Sequence, residues 1–232
     1  MRYAILTSIL CAALLLPAVV FAQQPNVAIC IMEKSGGRLQ PLSMAKTLIA
    51  GSLSARGWTV TDINEFPVSA SGEDLNQYLF EKNGRKSEFK SNEVAASISA
   101  DGDVKLRTKN VWNLNDGDLR NLRWRIDQSL LLAAAKSAGA GYLLYGEITT
   151  TEIPRRDIPE GFATEGYHSV VAMADLRLID AATGTVVSTF VDQATAMQLA
   201  KEVASMNAIQ GVANKAGEHF AAVPAAAPTE KK

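Results

Sequence analysis

With 232 residues, 47% of them hydrophobic, the chain has ample apolar material for a core, and its 23 basic and 24 acidic side chains leave a formal charge of −1. That balance argues against a nucleic-acid partner, whose phosphates demand clustered cations. Two cysteines and two histidines are a thin supply for a metal centre.

Arg2, the apolar run Ala4 to Phe21, small residues at Val20 and Ala22, and then Gln23-Gln24-Pro25 form the pattern of a secretory signal peptide cut after Ala22. Pro17 interrupts the run, and no other stretch approaches the roughly 20 apolar residues of a membrane span. Leu10 precedes Cys11 and most of the apolar core follows it, which is the wrong setting for lipid attachment, so no lipid anchor is expected. Loss of the leader leaves Cys30 alone, without an intramolecular disulfide partner. The expected organisation is a leader over 1–22, a single domain over 23–222 with a polar insertion around 82–114, and a disordered tail over 223–232.

Val27 to Met32 is apolar at every position, as in a strand covered on both faces. The loop Ser35-Gly36-Gly37-Arg38 follows, with Pro41 placed as a first-turn helical proline. Leu42, Ala45, Leu48, Ile49 and Leu53 recur at helical spacing, Gly57 closes the helix, and Trp58 to Ile63 reads as a second strand, parallel to the first in a βαβ unit. Strand, glycine loop and helix N-terminus together suggest an anion cradle at Gly36, Gly37 and Arg38, although neither dinucleotide nor P-loop spacing is present. A plain connection uses the same glycines.

Ser71 to Asp74 reads as a capped start for a helix carrying Leu75, Tyr78 and Leu79. After Gly84 the chain is polar until Val94 to Arg107, which suggests a hairpin with Val104 and Leu106 on one face, or else an ordered insertion or mobile loop. Asp101, Asp103, Lys105 and Arg107 leave it no lipid-facing stripe. A long helix is expected from Asn115 or Asp116, burying Leu119, Leu122, Ile126, Leu130, Ala133 and Ala134, with an Arg123–Asp127 pair on its wet face and Gly139 ending it.

Tyr142 onward reads as a strand in which Gly146 marks a bulge or a close backbone approach. Glu152 to Gly166 is expected to be a long exposed loop, and Arg155 and Arg156 are its candidate binding residues. Ala172, Ala174, Leu176 and Leu178 share the buried face of the next strand. Asp180 to Gly184 turns the chain into a strand ending near Thr195. A final helix over Gln198 to Ala222 is expected to bury Leu199, Val203, Met206, Ile209, Val212, Ala213, Ala216 and Phe220, with Gly211 and Gly217 weakening it. The fold class is therefore α/β of the α+β kind: a mixed sheet with a βαβ opening, a C-terminal antiparallel meander and helices packed on it.

Tyr142-Leu-Leu-Tyr-Gly146 and Leu176-Arg-Leu-Ile-Asp180 with Thr183-Gly184 resemble the strand and hairpin motifs of a broad envelope superfamily. It includes the curli secretion channel subunit, LpoB, the Pel exopolysaccharide lipoprotein, the flagellar assembly protein T and the amino-terminal domain of TolB. The resemblance covers most of residues 26–222 and implies an exported scaffold domain that meets other envelope proteins or itself. Gly141 stands where relatives often have aspartate, and several relatives are lipoproteins.

No catalytic, cofactor or metal set emerges. His168 and His219 lack neighbours at ligand spacing, no nucleophile elbow occurs, and Glu73, Asp74 and Glu218 read as surface charges. The leading expectation is a non-catalytic periplasmic accessory protein acting by contacts in secretion, motility, polymer export or cell-wall synthesis. A small-anion binding module at Gly36 and Gly37 and a carboxylate-based hydrolase are the alternatives.

Overall fold

Val27 to Met32 can be apolar throughout because the strand that carries them has no wet face: all six side chains are buried, three toward helices and three toward a second sheet. The computed structural model describes residues 24–35, 38–63, 65–83, 93–99, 101, 103–107, 119 and 122–223. The leader, Gly36, Gly37 and the tail from 224 lie outside the described residues.

In chain order the first half comprises β1 (Asn26–Ser35), β2 (Arg38–Pro41), α1 (Ser43–Ser54), β3 (Thr59–Thr61), β4 (Glu65–Ser71), α2 (Gly72–Asn83), β5 (Glu93–Ser99) and β6 (Val104–Leu106). The second comprises β7 (Arg125–Ile126), α3 (Gln128–Ser137), β8 (Tyr142–Glu152), a 3-10 turn (Arg155–Asp157), α4 (Glu160–Thr164), β9 (His168–Asp180), β10 (Val186–Gln198) and α5 (Lys201–Ala221). The main sheet is mixed. β1 lies parallel to β8, β9 and β10 continue antiparallel, and the far side of β1 is shared by β3, parallel along Asn26 to Ala28, and β2, antiparallel along Met32 to Ser35. The second sheet is antiparallel, in the order β6-β5-β4-β7.

One face of the main sheet, with Ile29, Leu144, Ala172, Ala174, Leu176 and Leu178, packs on α1 and α5. The other, with Cys30, Met32, Leu143 and Tyr145, packs on Val68, Ala96 and Ile98 of the second sheet and on Leu131 of α3. Each such fully buried aliphatic side chain contributes about 1.5–3 kcal/mol of transfer free energy. Burial also pushes the Cys30 thiol up to about 12, outweighing the nearby Lys46 charge, so this cysteine behaves as a small hydrophobe.

The parallel βαβ opening, the β5–β6 hairpin with Val104 and Leu106 on one face, the capped start of α2 and the Asp180 turn all form as the residues predict. Ser71 Oγ accepts the Asp74 N–H at 3.0 Å, and Thr183 N–H donates to Asp180 Oδ1 at 2.8 Å ahead of Gly184 at φ +75°.

Four expectations are corrected. Pro41 ends β2 instead of starting a helix: the ladder from Ser35↔Arg38 to Met32↔Pro41 extends the chain, an edge strand tolerates a proline, and α1 starts at Ser43. The helix predicted to run unbroken from Asn115 or Asp116 is interrupted: residues 108–118, 120 and 121 lie outside the described residues and Leu119 is helical, but Arg125 and Ile126 pair with β4, so α3 starts at Gln128, with Asp127 Oδ1 capping the Leu130 N–H at 3.1 Å. Its buried face shifts accordingly to Leu131 and Ala135, leaving Leu130 and Ala133 exposed, and Asp127 serves as a cap where an Arg123 pair was expected. β10 runs past Thr195 to Gln198. On α5 the buried stripe opens with Ala204 and Ala208, while Val203 and Met206, with Leu199 just ahead of the helix, face out.

Ile209, Val212, Ala213, Ala216 and Phe220 are buried as expected. A Cβ on Gly217 would lie 2.6 Å from Ser52 Oγ, so α5 and α1 approach closely there. Gly146 in β8 is tighter still, since a Cβ there would stand 2.1 Å from the Asp175 carbonyl oxygen and φ is +154°. Gly146→Ala should therefore cost about 3 kcal/mol or more by chemical denaturation. Gly161→Ala, whose Cβ would meet nothing within 4 Å, should stay within about 0.5 kcal/mol of wild type.

Candidate functional site

The second sheet is too narrow to cover the whole of the main sheet. Beyond Tyr145 its cover ends, and a cleft of about 400 Å³ opens between β7 and the exposed part of β8 and β9. Across its floor Glu147 and Asp175 are register partners, as are Tyr145 and Arg177. Each cation here already faces a carboxylate: Lys34 Nζ to Glu147 at 3.3 Å, Arg177 to Asp175 at 3.5 Å, and Arg125 to Asp74 at 3.6 Å. Tyr145 donates to Gln128 Oε1 at 2.8 Å. The cleft is thus a neutralised polar surface, not a concentrated field for an anion.

A second cluster forms where β1 and β8 run out in parallel, the end from which the β8–β9 connection also hangs. Glu152 closes β8 there. One carboxylate oxygen meets His168 Nδ1 at 2.7 Å, and the other accepts from Lys201 Nζ at 2.7 Å, so a single side chain ties β8, β9 and the start of α5 together. The Lys201 hydrogen bond, followed by that of His168, draws the Glu152 carboxyl down to about 2 and reciprocally raises the Lys201 ammonium. Beside this tie the connection folds into the 3-10 turn and α4 instead of a loose loop, with Ile158 buried and Phe162 edge-on to Tyr167 at 5.5 Å.

Arg155 and Arg156 sit exposed on that turn, Arg156 lying 3.8 Å from Asp157. Arg38 opens β2 at the same end of the sheet, separated from the start of α1 by the rest of that strand, while Gly36 and Gly37 are outside the described residues. The backbone therefore carries Arg38, Arg155 and Arg156 at one end of the sheet.

The feature that sequence reasoning missed is apolar. Leu199, just before α5, and Val203 and Met206 in its first turns are 62%, 40% and 53% exposed. The outer strand β10 adds Val186, Val187 and Val191. The available signal was the spacing of Ala204, Ala208, Ala216 and Gly217, which continues the stripe of Ile209, Val212 and Phe220 and leaves Val203 and Met206 off it. β10 also carries a local charge pair, in which Asp192 is held below its ordinary value by the Gln193 backbone N–H first and by Lys215 second. Among the described residues no group of histidine, cysteine and carboxylates could hold a metal ion, and no helix is long and apolar enough to cross a membrane.

The sequence matches no protein-family profile and no curated protein. Solved structures do align with the chain. Lipoprotein GNA1162 of Neisseria meningitidis does so at 15% identity and TM-score 0.35, covering 83% of this chain and 97% of that one. PelC of Paraburkholderia phytofirmans, solved as a dodecamer, aligns at 12% and 0.34, covering 82% and 86%. The LpoB C-terminal domain of Salmonella enterica aligns at 13% and 0.30, covering 78% and 90%. The Pel lipoprotein and LpoB are among the proteins that the β8 and β9–β10 motifs resemble.

The Glu152 tie has a pH signature. Its folded-state value lies below the ordinary 4.5, so ionised Glu152 stabilises the fold above that pH, and the contribution is lost as pH falls from about 4.5 to about 2. Thermal unfolding across that window should show wild type losing more Tm than Glu152→Gln, the two curves converging at the acid end. Parallel curves would remove the tie.

Proposed function

We propose that this chain is an exported, non-catalytic accessory protein of the cell envelope that acts through protein contacts, in the assembly or regulation of a secretion, motility, polymer-export or wall-building machine. The observation that carries the reading is where the exposed apolar surface lies. Of the ten strongly exposed large hydrophobic side chains among the described residues, six fall between Val186 and Met206, on β10 and the first turns of α5. Single exposed leucines need no explanation, but such residues concentrated on the edge strand, with Val191 beside Asp175 on the face away from α5, and around the start of α5 support contact surfaces at this side of the sheet.

The leader pattern supports export. The rigid sheet supports the surface, since β9 and α5 bury the rows behind it, and recognition commonly rides on peripheral elements of such a scaffold. The neutralised cleft favours neither a small anion nor an unpaired carboxylate.

A photo-crosslinking residue placed at Leu199 or Met206 in living cells should yield one discrete adduct, and the same residue at Phe80, on α2, should not. Val203→Asp should abolish the adduct while changing stability by less than about 1 kcal/mol, because this position is already partly in water. Equal labelling at Phe80, or an adduct indifferent to Val203→Asp, would count against a contact surface here.

A further inference from the structure

β10 forms one edge of the main sheet. Its 13 residues contain neither proline nor glycine, and Asp192 is their only charge. Edge strands of this length are ordinarily guarded by lysines, prolines or bulges, because each outward N–H and C=O invites another strand. Here the one register irregularity lies near the start, between Val186 and Ser188.

The guard on β10 is confined to one peptide. The Gln193 N–H donates to Asp192 Oδ1 at 2.7 Å, while Lys215, reaching across from α5, donates to the Gln193 carbonyl at 2.9 Å and to Asp192 Oδ2 at 3.0 Å. Both main-chain groups of Gln193 are thus taken by side chains. In an antiparallel ladder, outward-pointing residues alternate, so Thr189, Val191 and Thr195 share the outward direction of Gln193.

We propose that β10 docks a second copy of this chain, strand against strand about a two-fold axis at Val191, and that the Asp192–Lys215 pair is a plug gating that edge. Self-complementarity identifies the occupant. Val191, at 66% the most exposed large hydrophobic described, meets its own copy on the axis. Thr189 of one copy then faces Gln193 of the other, Ser188 faces Ala194, and Asp192 faces Phe190, so no like charges stand opposite one another. The contact joins two sheets into one without burying a charge. Pairing at Gln193 requires Asp192 and Lys215 to let go, which makes the plug a brake on association. The inference rests on the reading of this chain as a contact protein and narrows one partner to itself.

Two measurements on the full chain test it. In sedimentation equilibrium, Lys215→Ala should tighten self-association about tenfold, since a competing pair of charge-assisted hydrogen bonds is gone. Val191→Lys in the same background should return the protein to monomer. In a Cys11→Ser chain, Val191→Cys should form a disulfide-linked homodimer on mild oxidation, because residues opposed on neighbouring strands stand at disulfide distance and the remaining thiol, Cys30, is buried. Phe80→Cys, exposed on α2, is the control. An association constant unchanged by Lys215→Ala, or Val191→Cys linking no faster than Phe80→Cys, overturns the proposal. If the Leu199 and Met206 adducts persist in that event, the contact reading stands and only the second copy is lost.

Discussion

Val27 lies beside Tyr142 and Cys30 beside Tyr145, and neither face of that parallel pair meets water over this stretch. Two parallel strands dry on both faces need two separate covers, and a parallel pair also needs a long crossover between its members. The chain meets both demands together. The residues between β1 and β8 supply α1 for one face and the second sheet with α3 for the other, while α5 returns at the end to complete the helical layer. Gly146 belongs to the same constraint. Where β8 presses against β9, the Asp175 carbonyl occupies the space a side chain would need, so this ladder closes only on a residue without Cβ.

What could be read from the residues follows the strength of the local signal. Continuous apolar runs, the Asp180 turn with Gly184, and the alternation of Ala172, Ala174, Leu176 and Leu178 against Met173, Asp175 and Arg177 each have one structural solution, and they formed accordingly. The segment before α3 had two. Leu119 and Leu122 are buried as the helical repeat requires, but Ile126 opposite Val68 also completes the second sheet, and there long-range pairing prevailed over local periodicity. A sequence window cannot weigh that competition, because the partner strand lies more than fifty residues earlier.

The α5 error is of another kind and bears directly on the candidate surface. A helix is ordinarily read by placing its largest apolar residues inward, but the depth available decides which residues fit. Against α1 the approach at Gly217 and Ser52 leaves no room for a Cβ, and the buried stripe of α5 combines Ala204, Ala208, Ala213 and Ala216 with Ile209, Val212 and Phe220. Arg155 and Arg156 were legible as exposed cations, but nothing local in the sequence could show that the cleft cations would arrive already matched to Glu147, Asp175 and Asp74.

Stability and accessibility are thereby divided within one sheet. In its middle, where β1 and β8 are covered twice, main-chain groups are paired and side chains are packed. Toward β10 the cover thins to a single helix, the edge presents main-chain groups to solvent, and apolar side chains remain uncovered. A protein that avoided contacts would be expected to spend charge on such an edge, yet β10 uses its single aspartate with a lysine borrowed from α5 and leaves the other outward positions from Thr189 on to Thr189, Val191, Thr195 and Met197. Closing one peptide of a strand this long hinders pairing without forbidding it, and reversible hindrance is what a regulated contact requires.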